Sequence, residues 1–324
     1  MLSQQNTNVK MKALVFNRNL QLCDVECPVR SPDEALIRVL KAGICNTDIE
    51  IINGYMNFHG ILGHEFVGVV EDSANTSLIG KRIVGEINLP CYHCEYCKQG
   101  NTRHCKNRNV LGILNKSGAF AEYLTLPEKN LHLVPESISD DEAVFVEPLA
   151  AAYEILEQIY LKSTDRVLVL GDGKLGLLIA RVLMGQCQLS ILGKHQEKLN
   201  LLSGCSVQTA LELDADQSFD YVIDATGSSH GIQTSLGFVK AMGHVVLKTT
   251  THDMSNINFS DIVIREIHVI GSRCGPFPPA IEALSTGKIQ VEDLISHHFR
   301  LDDSLVAFER AGRKDAIKVI LDIA

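Results

Sequence analysis

Along the first 140 residues, apolar positions come in short runs broken by Gly, Pro and Asn. Examples are "MKALVF", "EALIRVLKAGIC", "FVGVVEDS", "KRIVGEI" and "GAFAEYLTL". Brief, β-branched-rich segments with frequent turn residues predict a mostly antiparallel, barrel-like domain. From "DEAVFVEPLAAAYEILEQI" the period lengthens toward that of a helix. "DRVLVL" then reads as a buried strand, "GDGKLG" as a turn and "LLIARVLM" as an apolar helix. "QLSILG", "FDYVIDATG", "GHVVLKT" and "IHVIGS" follow as further strands separated by helical stretches. That alternation predicts an α/β domain with a doubly wound parallel sheet. The end, "DLISHHFRLDDSLVAFERAG" and "AIKVILDI", is mixed and is expected to rejoin the first domain. The expected division is 1–149, 150–274 and 275–324, with hinges near 147–155 and 272–280.

Composition narrows the class. The chain has 324 residues, 45% hydrophobic and 21% charged, which suits a globular protein of about two domains. A formal net charge of −9 argues against a nucleic-acid or anionic-membrane partner, since both reward basic surfaces. The N-terminus "MLSQQNTNVK" is polar and lacks an apolar stretch of signal-peptide length, and because Met11 opens the first strand-like run, residues 1–10 read as a leader or alternative start. No apolar run approaches the ~18 residues of a membrane span. A cytoplasmic location follows, and there ten cysteines read as thiols or metal ligands rather than disulfides.

Four of those cysteines lie in "CYHCEYCKQGNTRHC". Cys91, Cys94, Cys97 and Cys105 have the spacing C-x2-C-x2-C-x7-C, in which short gaps let thiolates converge on one ion. Structural zinc, an iron–sulfur cluster and a zinc-ribbon interaction module all use such sets, and an isolated four-thiolate group in an acidic chain fits structural zinc best. Four sulfurs close the coordination shell, so this lobe staples the fold and leaves substrate chemistry elsewhere. His93 and His104 read as solvated loop residues.

A second set is open. Cys45 in "GICNTD", His64 and Glu65 in "GHEFVG" and Glu147 in "VEPLA" offer a thiolate, an imidazole and a choice of carboxylate. Three protein ligands and one water make the pattern of catalytic zinc. Singly, a buried Cys or His is more often packing.

"GDGKLG" supplies Gly171, Gly173, Lys174, Leu175 and Gly176 as a G-x-G-x-x-G turn between an apolar strand and an apolar helix. In that setting the glycines let backbone N–H groups approach a pyrophosphate. The next strand would end in an acid if it held a free ribose 2′-hydroxyl, but it reads "SILGKHQEKL". Gly193 stands at the expected acid, followed by Lys194 and His195. Loss of a carboxylate and gain of a cation favour a 2′-phosphate, hence NADP(H) over NAD(H).

"GICNTD", "GHEFVGVVEDSA", the cysteine lobe, "VEPLA" and the glycine turn, in this order, resemble the zinc-dependent medium-chain alcohol and polyol dehydrogenases. The resemblance runs from Met11 to "AIKVIL". It implies a GroES-like catalytic domain with a zinc lobe at 91–105, a Rossmann dinucleotide domain and a C-terminal return. It further implies Cys45 and His64 as zinc ligands with Glu147 or Glu65 third, and Thr47 as the hydroxyl that relays the alcohol proton. A Thr there also reads as a cap of the next helix. Asp48 is expected to brace the turn. Where many members carry an outer relay histidine, this chain has Glu50. By the same resemblance Thr226 in "DATG" lies on the adenosine side, and Ser272 and Arg273 in "GSRCG" lie close to the nicotinamide. Tyr55, Phe58 and His59 become pocket candidates.

The expected function is hydride transfer between a secondary alcohol, polyol or similar alcohol and a nicotinamide cofactor. The partners are a small-molecule alcohol or carbonyl and, by resemblance, further copies of the chain in a homodimer or homotetramer. Two alternatives stand beside it. A zinc-free enone or quinone reductase shares the fold but lacks the Cys/His set. A non-catalytic zinc-ribbon binding protein would need only the cysteine lobe.

Overall fold

The computed structural model describes residues 9–324; the sequence expectation for residues 1–10 falls largely outside them. The chain divides into two units, Met1–Val146 with Ile295–Ala324, and Glu147–Leu294.

The first unit is built on a seven-stranded sheet. Its order is Leu131–Leu133, Arg82–Gly85, Glu65–Asp72, Glu34–Ile44, Lys318–Asp322 and Ile295–Arg300, with Tyr123–Pro127 also pairing Glu34–Ile44. All pairings are antiparallel except the last, Ile295–Arg300 with Lys318–Asp322. Glu34–Ile44 is the hub. Ala35, Ile37 and Val39 alternate into the core, as period-two patterning requires. Its register against Glu65–Asp72 shifts between Val39 and Lys41, opposite Gly68 and Val67. A Cβ on Gly68 would meet Ile37 Cγ2 at 2.6 Å and the Arg38 carbonyl at 2.7 Å, so that irregular pairing needs glycine. Two three-stranded sheets complete the β framework of this unit.

The second unit is a six-stranded sheet, all parallel. Its order is Gln208–Ala210, Gln188–Leu192, Arg166–Leu170, Phe219–Asp224, Val239–Leu247 and His268–Gly271. Val167 to Leu170 are all buried, because a central parallel strand is covered on both faces. The helix Lys174–Leu183 follows it and buries Leu177, Leu178, Ile179, Ala180, Val182 and Leu183.

The return to the first unit comes at Ile295, not at residue 275. Residues 275–294 are anchored in the second unit by close packing. A Cβ on Gly275 would overlap the Ala150 carbonyl, and Arg181 donates to the Gln290 carbonyl and the Asp293 carboxylate. The helix Phe277–Ser285 buries Phe277, Ala280, Ala283 and Leu284. From sequence, this helix was indistinguishable from the mixed region after it.

Candidate functional site

Strand pairing assembles the first cluster. Cys45 follows the strand Glu34–Ile44 directly, and Glu65 opens the neighbouring strand opposite Gly43. Asp48, fully buried, fixes both approaches. Its carboxylate accepts from the Cys45 N–H at 2.8 Å and the Gly63 N–H at 3.2 Å. Gly63 has φ +96°, the left-handed turn that brings His64 round to face this site. His64 is buried, with Nδ1 3.3 Å from Asp48 Oδ1, so Asp48 orients the ring. Burial works against a charged imidazole, but the Asp48 carboxylate outweighs it and raises the His64 pKa well above its ordinary value. One polar atom each from Cys45, His64 and Glu65 lies within 4.8 Å of the others. Soft sulfur, ring nitrogen and carboxylate oxygen form a donor set that fits zinc.

A residue the sequence reading passed over completes this cluster. Lys318 opens the strand Lys318–Asp322, which pairs antiparallel with Glu34–Ile44. Its ammonium is in direct contact with the Glu65 carboxylate, and both side chains are fully buried. Gly43 sits between them; a Cβ there would overlap Lys318 Nζ. The Phe145 ring lies 5.6 Å from the same ammonium. Burial pushes the Lys318 pKa down to about 8, against the pull of Cys45 and Asp48. The available signal was one lysine at the head of a strand whose next three residues are all apolar.

Thr47 is the second residue of the helix Asn46–Ile52, and its Oγ1 lies 3.7 Å from Cys45 Sγ. It is not the cap: Cys45 holds that position, and the carboxylate that accepts the cap N–H is Asp48. Glu50 is partly buried on the same helix. Among the pocket candidates, Phe58 is buried and His59 stacks on Phe16 at 5.8 Å, so packing accounts for both. Tyr55 is half-buried at the start of a short turn. Glu147 is the first residue of the second unit.

The cysteine lobe has metal geometry without a disulfide. Sγ separations are 3.5 Å for Cys94–Cys97, 3.7 Å for Cys94–Cys105 and 3.5 Å for Cys91–Cys105. A tetrahedron of ~2.3 Å zinc–sulfur bonds has edges of ~3.8 Å. All four are free thiols, and Cys105 is buried. Backbone N–H donation draws the Cys94 pKa down to about 6, whereas burial and then its neighbouring thiols push Cys97 up to about 12. Four thiolates therefore need a cation to coexist. His93 and His104 are exposed at its rim.

In the second unit, Gly171 adopts φ +109° and lies against the Ala225 carbonyl. Gly176 packs on the Gly171 carbonyl, while a Cβ on Gly173 would meet nothing within 4 Å. These are the three roles of the motif: tight turn, open approach for pyrophosphate, and close helix–strand packing. Lys174 and Leu175 begin the helix capped by Gly173. Asp172, unremarked in the sequence reading, is buried and accepts from the N–H groups of Lys194 and His195, both at 2.6 Å. Thr226 donates its hydroxyl to Asp224 at 2.8 Å, so its side chain serves the turn. Ser272 and the Arg273 carbonyl receive the buried Lys248 ammonium at 3.1 and 2.8 Å, and the Ala151 carbonyl receives it at 2.6 Å. Lys248 thus ties the 272–273 segment to the strand Val239–Leu247 and the helix Val146–Gln158. Among the described residues, no helix is long and apolar enough to cross a membrane.

Comparison with known proteins places this geometry. Residues 31–136 match the family model of the alcohol dehydrogenase GroES-like domain. The chain is 29% identical over 341 residues to an L-threonine 3-dehydrogenase of Shewanella baltica, covering 96% of this chain and 98% of that one. It is 28% identical over 352 residues to the erythritol/L-threitol dehydrogenase of Mycolicibacterium smegmatis, covering 96% and 97%. A dehydrogenase structure from Sinorhizobium meliloti 1021, bound to NADP, superposes with a TM-score of 0.87 at 27% identity, covering 97% of this chain and all of that one.

Proposed function

We propose that the chain is a member of the medium-chain alcohol and polyol dehydrogenases, a zinc-dependent enzyme oxidising a small polar secondary alcohol or polyol to its ketone or aldehyde; the GroES-like domain match and the similarity to threonine and erythritol/threitol dehydrogenases support this reading. Hydride moves between the alcohol carbon and a nicotinamide dinucleotide. The observation that carries this reading is the convergence of Cys45, His64 and Glu65 in the unit that also holds the separate four-cysteine lobe. A zinc-free reductase has no use for such a set, and a zinc-ribbon module has no use for a second one.

Cys45 and His64 would hold the catalytic ion. Of the two carboxylates that the resemblance allows as third ligand, Glu147 is the one proposed. The Glu65 carboxylate, engaged by Lys318, is the one able to exchange with it. Cys91, Cys94, Cys97 and Cys105 would hold a structural ion. Bound zinc supplies a Lewis acid that makes the alcohol a stronger acid. Thr47, beside Cys45, is the hydroxyl positioned to take the alcohol proton outward, with Glu50 or water beyond it. Asp48 keeps His64 in one orientation and so preserves the site's shape.

In the second unit Gly171, Gly173, Lys174, Leu175 and Gly176 cradle the pyrophosphate. Gly193, Lys194, His195 and Thr226 face the adenosine, and Ser272 and Arg273 border the nicotinamide. The positive charge of Lys194 would draw a 2′-phosphate, whereas the Asp172 carboxylate beside it would repel one. The edge strand His268–Gly271 and the exposed Phe259, Val263 and Ile264 just before it in the chain support a homodimer or homotetramer built along this sheet. A cytoplasmic enzyme free of nucleic acid and membrane suits the net charge of −9.

The test is metal content with turnover. The intact protein should hold two zinc ions per chain and oxidise members of an alcohol and polyol panel. Cys45→Ser should hold one ion, stay folded and lose turnover. Two ions retained in Cys45→Ser, with turnover intact, would overturn the assignment.

A further inference from the structure

Reading the strand Gln188–Leu192 alone, Gly193 leaves the adenosine ribose without an acid. The folded chain supplies one from elsewhere. Asp172, the second residue of the glycine motif, turns its carboxylate across the loop to the end of that strand. Its Oδ2 accepts from the Lys194 and His195 N–H groups, and His195 Nδ1 lies 3.1 Å away. The carboxylate fills the space a side chain on Gly193 would need: a Cβ there would meet Asp172 Oδ2 at 2.6 Å. Glycine at 193 and aspartate at 172 are therefore one arrangement, in which the acid has moved from strand to loop.

We infer that Asp172 is the specificity-determining residue for the cofactor, accepting from the adenosine ribose hydroxyls and selecting NAD(H) over NADP(H). This rests on the reading of the second unit as a dinucleotide-binding domain. The end of this strand is where such folds place the ribose. A 2′-phosphate entering there would meet an anion, and the N–H donors of residues 194 and 195 that could have received it are already engaged. Two hydroxyls, by contrast, donate to a carboxylate at little cost. Burial opposes the charged form, but the His195 and Lys194 N–H groups and the imidazole hold the Asp172 pKa below its ordinary value, so the anion persists at neutral pH. Lys194 presents an exposed side chain that solvent screens, and it does not displace this contact. The NADP(H) expectation depended on an acid-free strand end, and the chain is not acid-free there.

The experiment is fluorescence titration of the whole protein with NADH and NADPH, which requires no alcohol substrate. The wild type should bind NADH at least about tenfold more tightly. Asp172→Asn removes only the charge, and Asp172→Ala removes the carboxylate; each should shrink the NADH-to-NADPH ratio by about tenfold. Because the two nucleotides differ only at the 2′ position, general damage to the loop lowers both affinities and leaves the ratio alone. Gly193→Asp should fail to bind NADH in the wild-type background and recover binding with Asp172→Ala, where the space is vacant. Equal or better binding of NADPH by the wild type, or an unchanged ratio in both Asp172 variants, would overturn the inference while leaving the dehydrogenase assignment standing. Binding of neither nucleotide would remove the dinucleotide reading and this inference with it.

Discussion

Replacing Lys318 by Met isolates the role of the buried ammonium. Met keeps the stem length and apolar bulk, and volume-conserving exchanges by themselves usually cost under about 1.5 kcal/mol. The charge is another matter. Glu65 has no exposed side-chain surface and would lose the cation in contact with it. Breaking a buried ion pair from one side costs about 3–5 kcal/mol, because the remaining charge is left in a poor solvent. For a unit of this size that lowers the melting temperature by roughly 6–20 °C. Glu65 can escape by taking a proton, at about 1.4 kcal/mol per unit of pKa rise. The sign follows: a carboxyl whose folded pKa is raised binds more protons folded than unfolded, so the defect grows as pH rises and shrinks toward acid.

Urea unfolding of wild type, Lys318→Met, Glu65→Leu and the double variant, at pH 5.5 and 7, both below the Lys318 pKa of about 8, after chelator treatment, checks each step. The single Lys318 variant should be the less stable at pH 7 and recover partly at pH 5.5. The double variant should regain most of the loss, since an apolar pair can replace a buried ion pair at little cost. Repeating the series with zinc restored separates folding from metal retention. An unchanged Lys318→Met midpoint, or losses that simply add in the double variant, would show that the pair is not coupled and refute the reasoning.

Other outcomes follow from the same geometry. Cys97→Ser should release one zinc ion and lower the melting temperature, as measured by metal analysis and calorimetry, because it opens a set of sulfurs spaced 3.5–3.7 Å apart. Gly173→Ala should fold normally yet weaken dinucleotide binding in a fluorescence titration, whereas Gly176→Ala should also destabilise, because a Cβ at 176 overlaps the Gly171 carbonyl and one at 173 meets nothing. Glu34 is part-buried against Lys116 at 2.5 Å; burial raises its pKa, but the Lys116 hydrogen bond wins and the net shift is downward. Its contribution is thus present above the ordinary carboxyl range and lost in acid. Glu34→Gln should cost about 1 kcal/mol at pH 7 and progressively less toward pH 3 in urea titrations.

What the sequence made legible was whatever depends on neighbours in the chain. The apolar run at 167–170 could only be a covered strand, and C-x2-C-x2-C could only be a convergent set of sulfurs. The short apolar run at 34–44 marked a strand, while its place as the hub of the first sheet came only from its pairing partners. Three features resisted because each joins residues far apart. Lys318 lies 253 positions from the carboxylate it neutralises. Asp172 is 22 positions from the N–H it accepts, and within the motif it occupies a slot that the spacing rule treats as arbitrary. Residues 275–294 look like the tail that follows them, yet Arg181 and Ala150 hold them in the second unit. In the first two, a glycine marks the missing partner: Gly43 makes room for the Lys318 ammonium, and Gly193 for the Asp172 carboxylate. Either glycine could be assigned to strand irregularity from sequence, since nothing local demands a left-handed turn at either. A glycine in a strand or at its end that is not explained by φ is therefore a request for something large arriving from elsewhere, and at Gly193 what arrives carries the charge that the cofactor must answer.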